Sequence, residues 1–394
     1  MSLTKEQVKF IEKTRAEGCT WKETSDEFNE LFGTTHNKDS MRLKYNYYAG
    51  DEPNYDNIDE LKKQRRAQVS ANEARKKLRK SLDAQITLED VMGELKQVAK
   101  DIKKLPKVKM VRPSKNKTKM TVEALIGDVQ IGKIMEDYNS DICAKRIQEH
   151  AECIILKVQQ YQSQGYDVER IVLSMLGDMI ENSEKHPNSG KATDQGTAEQ
   201  MRAITVHLYH KMLVPLAQLG IPIDVKCVTG NHDWGGHKLE MFYPGREHLS
   251  WVFYNMLDEL CQAAGIKHIN FEVAEGSFLI YDIYGHQVLI EHGVGVGATE
   301  ASMSARLNSR IRQCKKHISF FRMGDKHHVA RFNNDQYVIN GAYFGSDEKG
   351  VEYSGILGYY SPATQVMFSY VPRKKNDPRT PIFDSFVIQL GHVK

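Results

Sequence analysis

Five apolar runs in this chain each lead into a small polar cluster that contains glycine. Val122 to Ile126 runs into Gly127-Asp128-Val129-Gln130, and Ile171 to Leu176 into Gly177-Asp178-Met179-Ile180-Glu181. Ile223 to Val228 is followed by Gly230-Asn231-His232-Asp233, Val288 to Ile290 by His292-Gly293, and Ile318 to Met323 by Gly324-Asp325-Lys326-His327-His328. Short apolar runs bounded by glycine read as buried strands. Strands that each end in Gly with Asp, Asn or His bring those side chains to one edge of a sheet, where α/β proteins place their ligands. Together the clusters hold enough ligands for two metal ions.

A chain of 394 residues suits one large catalytic domain and an accessory region. No apolar stretch reaches membrane-spanning length, and the start Met1-Ser2-Leu3-Thr4-Lys5 lacks a secretory pattern, so a soluble cytoplasmic protein with no membrane partner is expected. The six cysteines include no Cys-x-x-Cys pair, which argues against a zinc ribbon or a disulfide framework. The net charge of +3 is unevenly distributed: residues 59 to 119 hold 19 Lys or Arg against 8 Asp or Glu. That segment carries +11, leaving about −8 for the remainder.

The chain is expected to divide into a small all-α module at 1–50, a basic helical linker at 51–119 and a catalytic domain at 120–394. Val8 with Ile11, then Trp21, Phe28, Leu31 and Phe32, then Met41, Tyr45 and Tyr48 repeat at helical spacing, giving three short helices, the second with Thr20 as a plausible N-cap. The far face of the third is read as carrying Lys38, Arg42, Lys44 and Asn46, side chains suited to phosphates and base edges. This module looks like the helix-turn-helix units that begin many phage and mobile-element proteins. Asp51 to Asn57 breaks the pattern. Leu88, Val91, Leu95, Val98, Ile102 and Leu105 then step like a coiled-coil seam, with Thr87 and Asp90 as a capping box, long enough either to dimerise or to dock. Lys103 to Lys119 reads as a basic linker able to track a phosphate backbone. Alternating strands and helices to about Thr229, then a strand-rich stretch from Phe271 to Ile339 and strands at Gln365 to Val371 and Phe383 to Leu390, suit a two-sheet α/β sandwich flanked by helices.

The ordered clusters resemble the calcineurin-like metallophosphoesterases, with Gly-Asn-His-Asp as the most specific piece, over roughly residues 120 to 345. The resemblance implies an αββα sandwich holding two divalent ions, Mn²⁺ first and Mg²⁺ second. It implies that Asp178 bridges both ions, that Asp128, Gln130 and His327 complete one site, and that Asn231, His292 and Asp325 complete the other. His232 would donate a proton to the leaving group, oriented by Asp233, while a metal-bridged hydroxide attacks. Gln130 and Asp325 stand where the family has histidines. Both changes replace nitrogen with oxygen and favour harder ions than Zn²⁺. A one-residue bulge would promote His328 in place of His327; His327 is preferred.

Other polar residues receive plainer readings. His237 and His248, just after the Gly-Asn-His-Asp loop, are within reach of substrate by position but are taken as surface or core histidines, His286 as a hairpin residue, and Glu181 as either a supporting carboxylate or a helix-start residue. Lys185, His186 and Lys191, in a loop expected to overhang the metals, are candidate phosphate contacts. The whole is read as a metal-dependent nuclease acting on DNA, similar to the phage and bacterial DNA-repair exonuclease branch. Nucleases of that branch dimerise and work with an ATPase, and no residue pattern here identifies such a partner. The rivals are a small-molecule phosphatase or cyclic-nucleotide phosphodiesterase, and a non-catalytic DNA-binding protein with a degenerate site.

Overall fold

In a computed structural model the chain separates into two compact units, Met1–Asp83 and Ala84–Lys394. The structure describes residues 3–48, 69, 118–185, 192–234, 245–346, 352–374, 377 and 379–391. Nearly all of the expected linker and all of its coiled-coil seam lie outside these residues, as do His186, Lys191 and His237. Among the described residues no helix is long and apolar enough to cross a membrane.

The first unit contains helices α1 (Lys5–Ala16), α2 (Trp21–Phe32) and α3 (Lys38–Tyr48) around a small core of Ile11, Phe28 and Met41. Thr4 and Thr20 each close a capping box, with Gln7 and Glu23, and Gly33 ends α2 in the left-handed conformation. Two details differ from expectation. Leu31, placed on the apolar face by spacing, is 62% exposed, because the small core is already filled by Phe28 and the half-buried Phe32. Lys38, Arg42 and Asn46 are exposed and follow one another four residues apart, forming a stripe. Lys44 does not belong to it: its helical angle carries it to the other flank, where Nζ lies 3.2 Å from His36 Nε2.

The second unit is a four-layer α/β sandwich. One sheet has the order β11-β10-β1-β2-β3-β4 and the other β5-β6-β7-β9-β8. In the first, β1 (Thr118–Ile126), β2 (Tyr166–Met175), β3 (Ile223–Cys227) and β4 (Ile269–Val273) are parallel, with β10 (Thr364–Tyr370) and β11 (Ile382–Gln389) antiparallel at one edge. In the second, β5 (Phe278–Ile283) and β6 (His286–Glu291) form a hairpin through Tyr284 and Gly285, which places His286 as expected. There β6, β7 (Phe320–Met323) and β9 (Tyr337–Ile339) are parallel, and β8 (Ala330–Phe332) closes the edge.

Alternation along the strands assigns each layer. Val122, Ala124 and Ile126 of β1 face the helices α4 (Ser140–Ser163), α5 (Thr197–Leu208) and α7 (Leu249–Ala263), whereas Leu125 joins Val172, Val288, Ile290 and Phe368 between the sheets. A π-turn at Tyr209–Leu213 and the short α6 (Val214–Ala217) continue α5. Beyond the second sheet, Leu289, Phe321 and Met323 pack on Met303 and Leu307 of α8 (Glu300–Cys314). That helix interrupts the stretch expected to be strand-rich; Thr299 caps it and Met303, Leu307 and Ile311 give it an apolar stripe. A last short helix, α9, spans Tyr353–Ile356. The sandwich also begins earlier than expected: Thr118 and Lys119 already pair with Tyr166 and Asp167, and Lys119 Nζ lies 2.6 Å from Glu169.

A charged network crosses the space between the sheets. Arg322 of β7 and Glu123 of β1 are both fully buried, 3.8 Å apart, and both contact the Tyr370 hydroxyl. Ser174 and Tyr281 also donate to Glu123, and Arg322 donates to the Asp335 carbonyl at 2.7 Å while lying 4.2 Å above the Phe368 ring. Replacing Arg322 with Met would strand a buried carboxylate. Such a loss costs about 3–5 kcal/mol, read from denaturant unfolding; a change below about 1 kcal/mol would contradict this role.

Candidate metal centre

The loops after β1, β2, β3, β6 and β7 converge at the carboxyl ends of their strands. Asp128, Asp178 and His292 present ligand atoms within 4.8 Å of one another, all buried, a group that could hold a metal ion. His292 Nε2 stands 3.1 Å from Asp178 Oδ2, 3.0 Å from Asn231 Oδ1 and 3.7 Å from Asp325 Oδ1. On the other side, His327 Nε2 is 3.5 Å from Asp128 Oδ1 and 3.4 Å from Gln130 Nε2. The seven expected ligands thus fall into two adjoining sets, Asp178-Asn231-His292-Asp325 and Asp128-Gln130-His327. His328 turns away, its ring stacked on Tyr359 at 4.2 Å and its Nδ1 bonded to the Lys326 carbonyl.

The imidazoles are oriented as metal-binding histidines must be. His292 Nδ1 lies 2.7 Å from the Leu176 carbonyl and His327 Nδ1 lies 2.5 Å from Glu352 Oε1. A carbonyl or a carboxylate can only accept, so both Nδ1 atoms carry a proton and both Nε2 atoms are turned toward the cluster, where a bound cation would displace any Nε2 proton. Asp128 Oδ1 is buried with no hydrogen-bond partner among the described residues, while Oδ2 accepts from the Asp325 amide at 3.0 Å. Buried, closely grouped carboxylate oxygens facing two imidazole Nε2 atoms fit a divalent cation, which would neutralise them.

The backbone is bent to make this arrangement. Asp128, Gln130, Asp178, Asn182, Asp325 and His327 all have positive φ, six of the eleven such non-glycine residues described. Left-handed backbone in non-glycine residues is strained, and its concentration here marks the centre as a functional site. Bonds from Gln130 N to the Asp178 carbonyl (2.9 Å) and from Gly324 N to the His292 carbonyl (2.9 Å) hold neighbouring loops in register. Gly177, at φ +90°, passes so close to Gly230 that a Cβ would meet Gly230 N at 2.5 Å. A Cβ on Gly230 would in turn lie 2.0 Å from Asp178 Oδ1.

Charge is distributed unequally. Burial pushes the Asp128 carboxyl up to about 6, with His327 and His292 opposing it. Burial also acts on Asp178, but His292 and His232 outweigh it and hold that carboxyl well below its usual range. For His292, Asp178 likewise overcomes burial and raises the imidazole well above its ordinary value.

Three findings revise the sequence reading. His232 is oriented by Glu181, whose carbonyl accepts from Nδ1 at 2.8 Å, rather than by Asp233. Asp233 turns inward to accept from Gly230 N at 2.5 Å, closing the tight turn; burial pushes it up to about 6, with Ser250 and the Gly230 amide opposing the rise. Gln130 turns its amide oxygen to Lys133 Nζ at 3.0 Å, so its amino group faces His327. Coordination through Gln130 would need that amide to turn over. Asp325 sits at the rim with Oδ2 held by Lys326 at 2.6 Å.

Lys133, Glu352 and Asn182 carried no signal in the motifs. Asn182 donates to the carbonyls of His232 and Trp234 at 2.8 and 2.9 Å, clasping the Gly-Asn-His-Asp loop from below. Lys185 is buried with Nζ 4.1 Å above the Trp234 ring, and burial lowers its pKa. His248 is a core histidine: Nδ1 meets Thr229 Oγ1 at 2.5 Å, and burial lowers it to about 4.

No protein-family model and no curated protein matches this sequence. Among solved structures it is similar to an archaeal phosphodiesterase, at TM-score 0.31 and 9% identity over 68% of this chain and 99% of that one. It is also similar to vacuolar protein sorting 29 from Cryptosporidium parvum, at TM-score 0.30 and 11% identity over 68% of this chain and 98% of that one. A third is a conserved protein from Streptococcus pneumoniae described as a predicted phosphoesterase, at TM-score 0.27 and 10% identity over 68% and 98%. At such scores these likenesses carry no inference about what this chain does; its chemistry is read from the site.

Gly230→Ala tests the close approach beneath Asp178. Displacing that carboxylate should weaken Mn²⁺ binding by about 10- to 100-fold, the range for a disturbed ligand support, measured by calorimetry. Unchanged affinity would show that Asp178 is not held there for a metal.

Proposed function

We propose that this chain is a two-metal phosphodiesterase acting on nucleic acid, a DNA nuclease. The observation that carries the catalytic half is the grouping of Asp128, Asp178 and His292, with two histidines tied off at Nδ1 so that both Nε2 atoms face it. Asp178 would bridge the two ions, Asp128 with Gln130 and His327 would complete one site, and Asn231, His292 and Asp325 the other. Divalent ions held there would supply charge neutralisation and an acidified water. The oxygen-rich donor set favours Mn²⁺ or Mg²⁺.

The chain's own residues divide the remaining work. The Asp178 carboxylate receives the His232 amide at 2.8 Å, so the general-acid candidate is fixed directly to the ligand cluster. With His232 Nδ1 donating to the Glu181 carbonyl, the imidazolium form would pass its Nε2 proton to the leaving oxygen. Asn182 and Asp233 hold the loop that carries His232, and so act by positioning.

Support for nucleic acid as substrate is electrostatic. The surplus of basic residues between 59 and 119 and the exposed stripe Lys38-Arg42-Asn46 on α3 suit a phosphate backbone. A small phosphate ester would need neither.

His232→Ala should keep Mn²⁺ binding while reducing turnover by about 100-fold or more; parallel loss of metal would overturn its role as the acid. Asp178→Asn should instead abolish the two-ion site, and calorimetry showing unchanged stoichiometry would remove the bridging assignment. The double variant Lys38→Gln, Arg42→Gln should weaken duplex DNA binding and lower its salt slope by about 2. A slope identical to that of the unsubstituted protein would exclude α3 from the DNA contact.

A further inference from the structure

Beside the metal cluster, on the side of Gly230 and His292, lies a cavity of about 220 Å³. Trp234, His248, Arg306 and Arg310 form much of its remaining wall. None of these four belongs to the ligand set, and the two arginines come from α8, an element with no part in coordination.

The wall is built to present positive charge. Arg310 is bound to Glu291 by Nη2 at 2.6 Å and Nε at 3.0 Å, and its guanidinium lies 4.1 Å from the centre of the Phe278 ring. Arg306 approaches the other oxygen of the same carboxylate at 3.4 Å and donates to the Val294 carbonyl at 3.2 Å. Two guanidinium groups share one buried carboxylate, so the cluster keeps one net positive charge. Glu291 immediately precedes His292 on β6, which joins this pair of arginines to the metal cluster through one rigid strand.

His248 is almost fully buried, and its Nε2 has no hydrogen-bond partner among the described residues. Nδ1 is engaged by the Thr229 hydroxyl. Nε2 is closed off from the cavity, so His248 shapes the wall while the guanidinium groups supply its donors. Arginine donors beside an indole describe a site for an anion attached to a flat ring. A cavity of this size excludes a duplex.

We propose that this cavity is a subsite for a single phosphate-bearing nucleotide unit of the substrate, with Arg306 and Arg310 contacting its phosphate. It rests on the phosphodiesterase reading above and deepens it: a substrate anchored here would place the neighbouring phosphodiester over the metal cluster, and the terminal unit would be the one removed. Arg306 is the residue to change, because it is more exposed than Arg310 and holds Glu291 less closely.

The test is calorimetric titration of the full chain with deoxyadenosine 5′-monophosphate, deoxyadenosine and inorganic phosphate, each in EDTA and in Mn²⁺. The monophosphate should bind in EDTA more tightly than either other probe. Arg306→Gln should weaken it about ten-fold or more and Arg306→Lys should restore part of the loss. Absence of binding, equal affinity for deoxyadenosine, or an unchanged affinity in Arg306→Gln would overturn the subsite. Inorganic phosphate binding as tightly as the monophosphate would also overturn it, in favour of a plain anion site. Mn²⁺-dependent turnover, measured beside it, reports the metal reading separately: Arg306-dependent nucleotide binding without any turnover would sink the phosphodiesterase reading and leave the subsite standing.

Discussion

The Asp178 carboxylate is the constraint around which the site is assembled. One oxygen accepts the His232 amide and the other faces His292, so loops from three strands and two sheets meet at one side chain. That meeting is possible only because Gly177 and Gly230 let two backbones pass almost in contact. The parallel pairing of β1, β2 and β3 brings their ends level, and β6 and β7 deliver His292 and Gly324 from the second sheet. Closing the sandwich and forming the site are therefore one geometric event. The Glu123–Arg322 network lies between the same two sheets and ties β1 to β7, the strands that precede Asp128 and Asp325.

Concentrating carboxylates in a buried space is unfavourable unless something offsets their repulsion. In the structure, imidazoles and lysines do part of this: His292 faces Asp178, His327 faces Asp128, and Lys326 holds Asp325. The result is uneven: Asp178 is held well below the usual carboxylate range and Asp128 is pushed above it. Divalent ions would complete that neutralisation.

Much of this was legible because its signals are local. Apolar runs ending in Gly-Asp or Gly-Asn-His-Asp announce buried strands and their polar ends, and Thr20 with Glu23 announces a helix start. Long-range partners were not legible. Glu352 follows His327 by 25 residues in a different loop, Asn182 reaches a loop 50 residues away, and Glu123 pairs across sheets with Arg322. In each case a polar residue acquires its meaning from tertiary contact, and nothing in its neighbourhood marks it. Asp233 illustrates the converse error: adjacency to His232 suggested a partnership, yet the turn directs the carboxylate inward to Gly230. The strand-rich reading overlooked α8 for a related reason, since its apolar stripe is short and its arginines are directed to Glu291.

The central claim is that these residues form a metal-dependent phosphodiesterase centre whose substrate is nucleic acid. It is tested most directly by stripping the full chain with EDTA, adding Mn²⁺ back, and following hydrolysis of end-labelled DNA beside an aryl phosphodiester. The account predicts no cleavage in EDTA and restored cleavage of DNA with Mn²⁺. Cleavage that persists in EDTA, or no turnover of either substrate at any Mn²⁺ concentration, would contradict it.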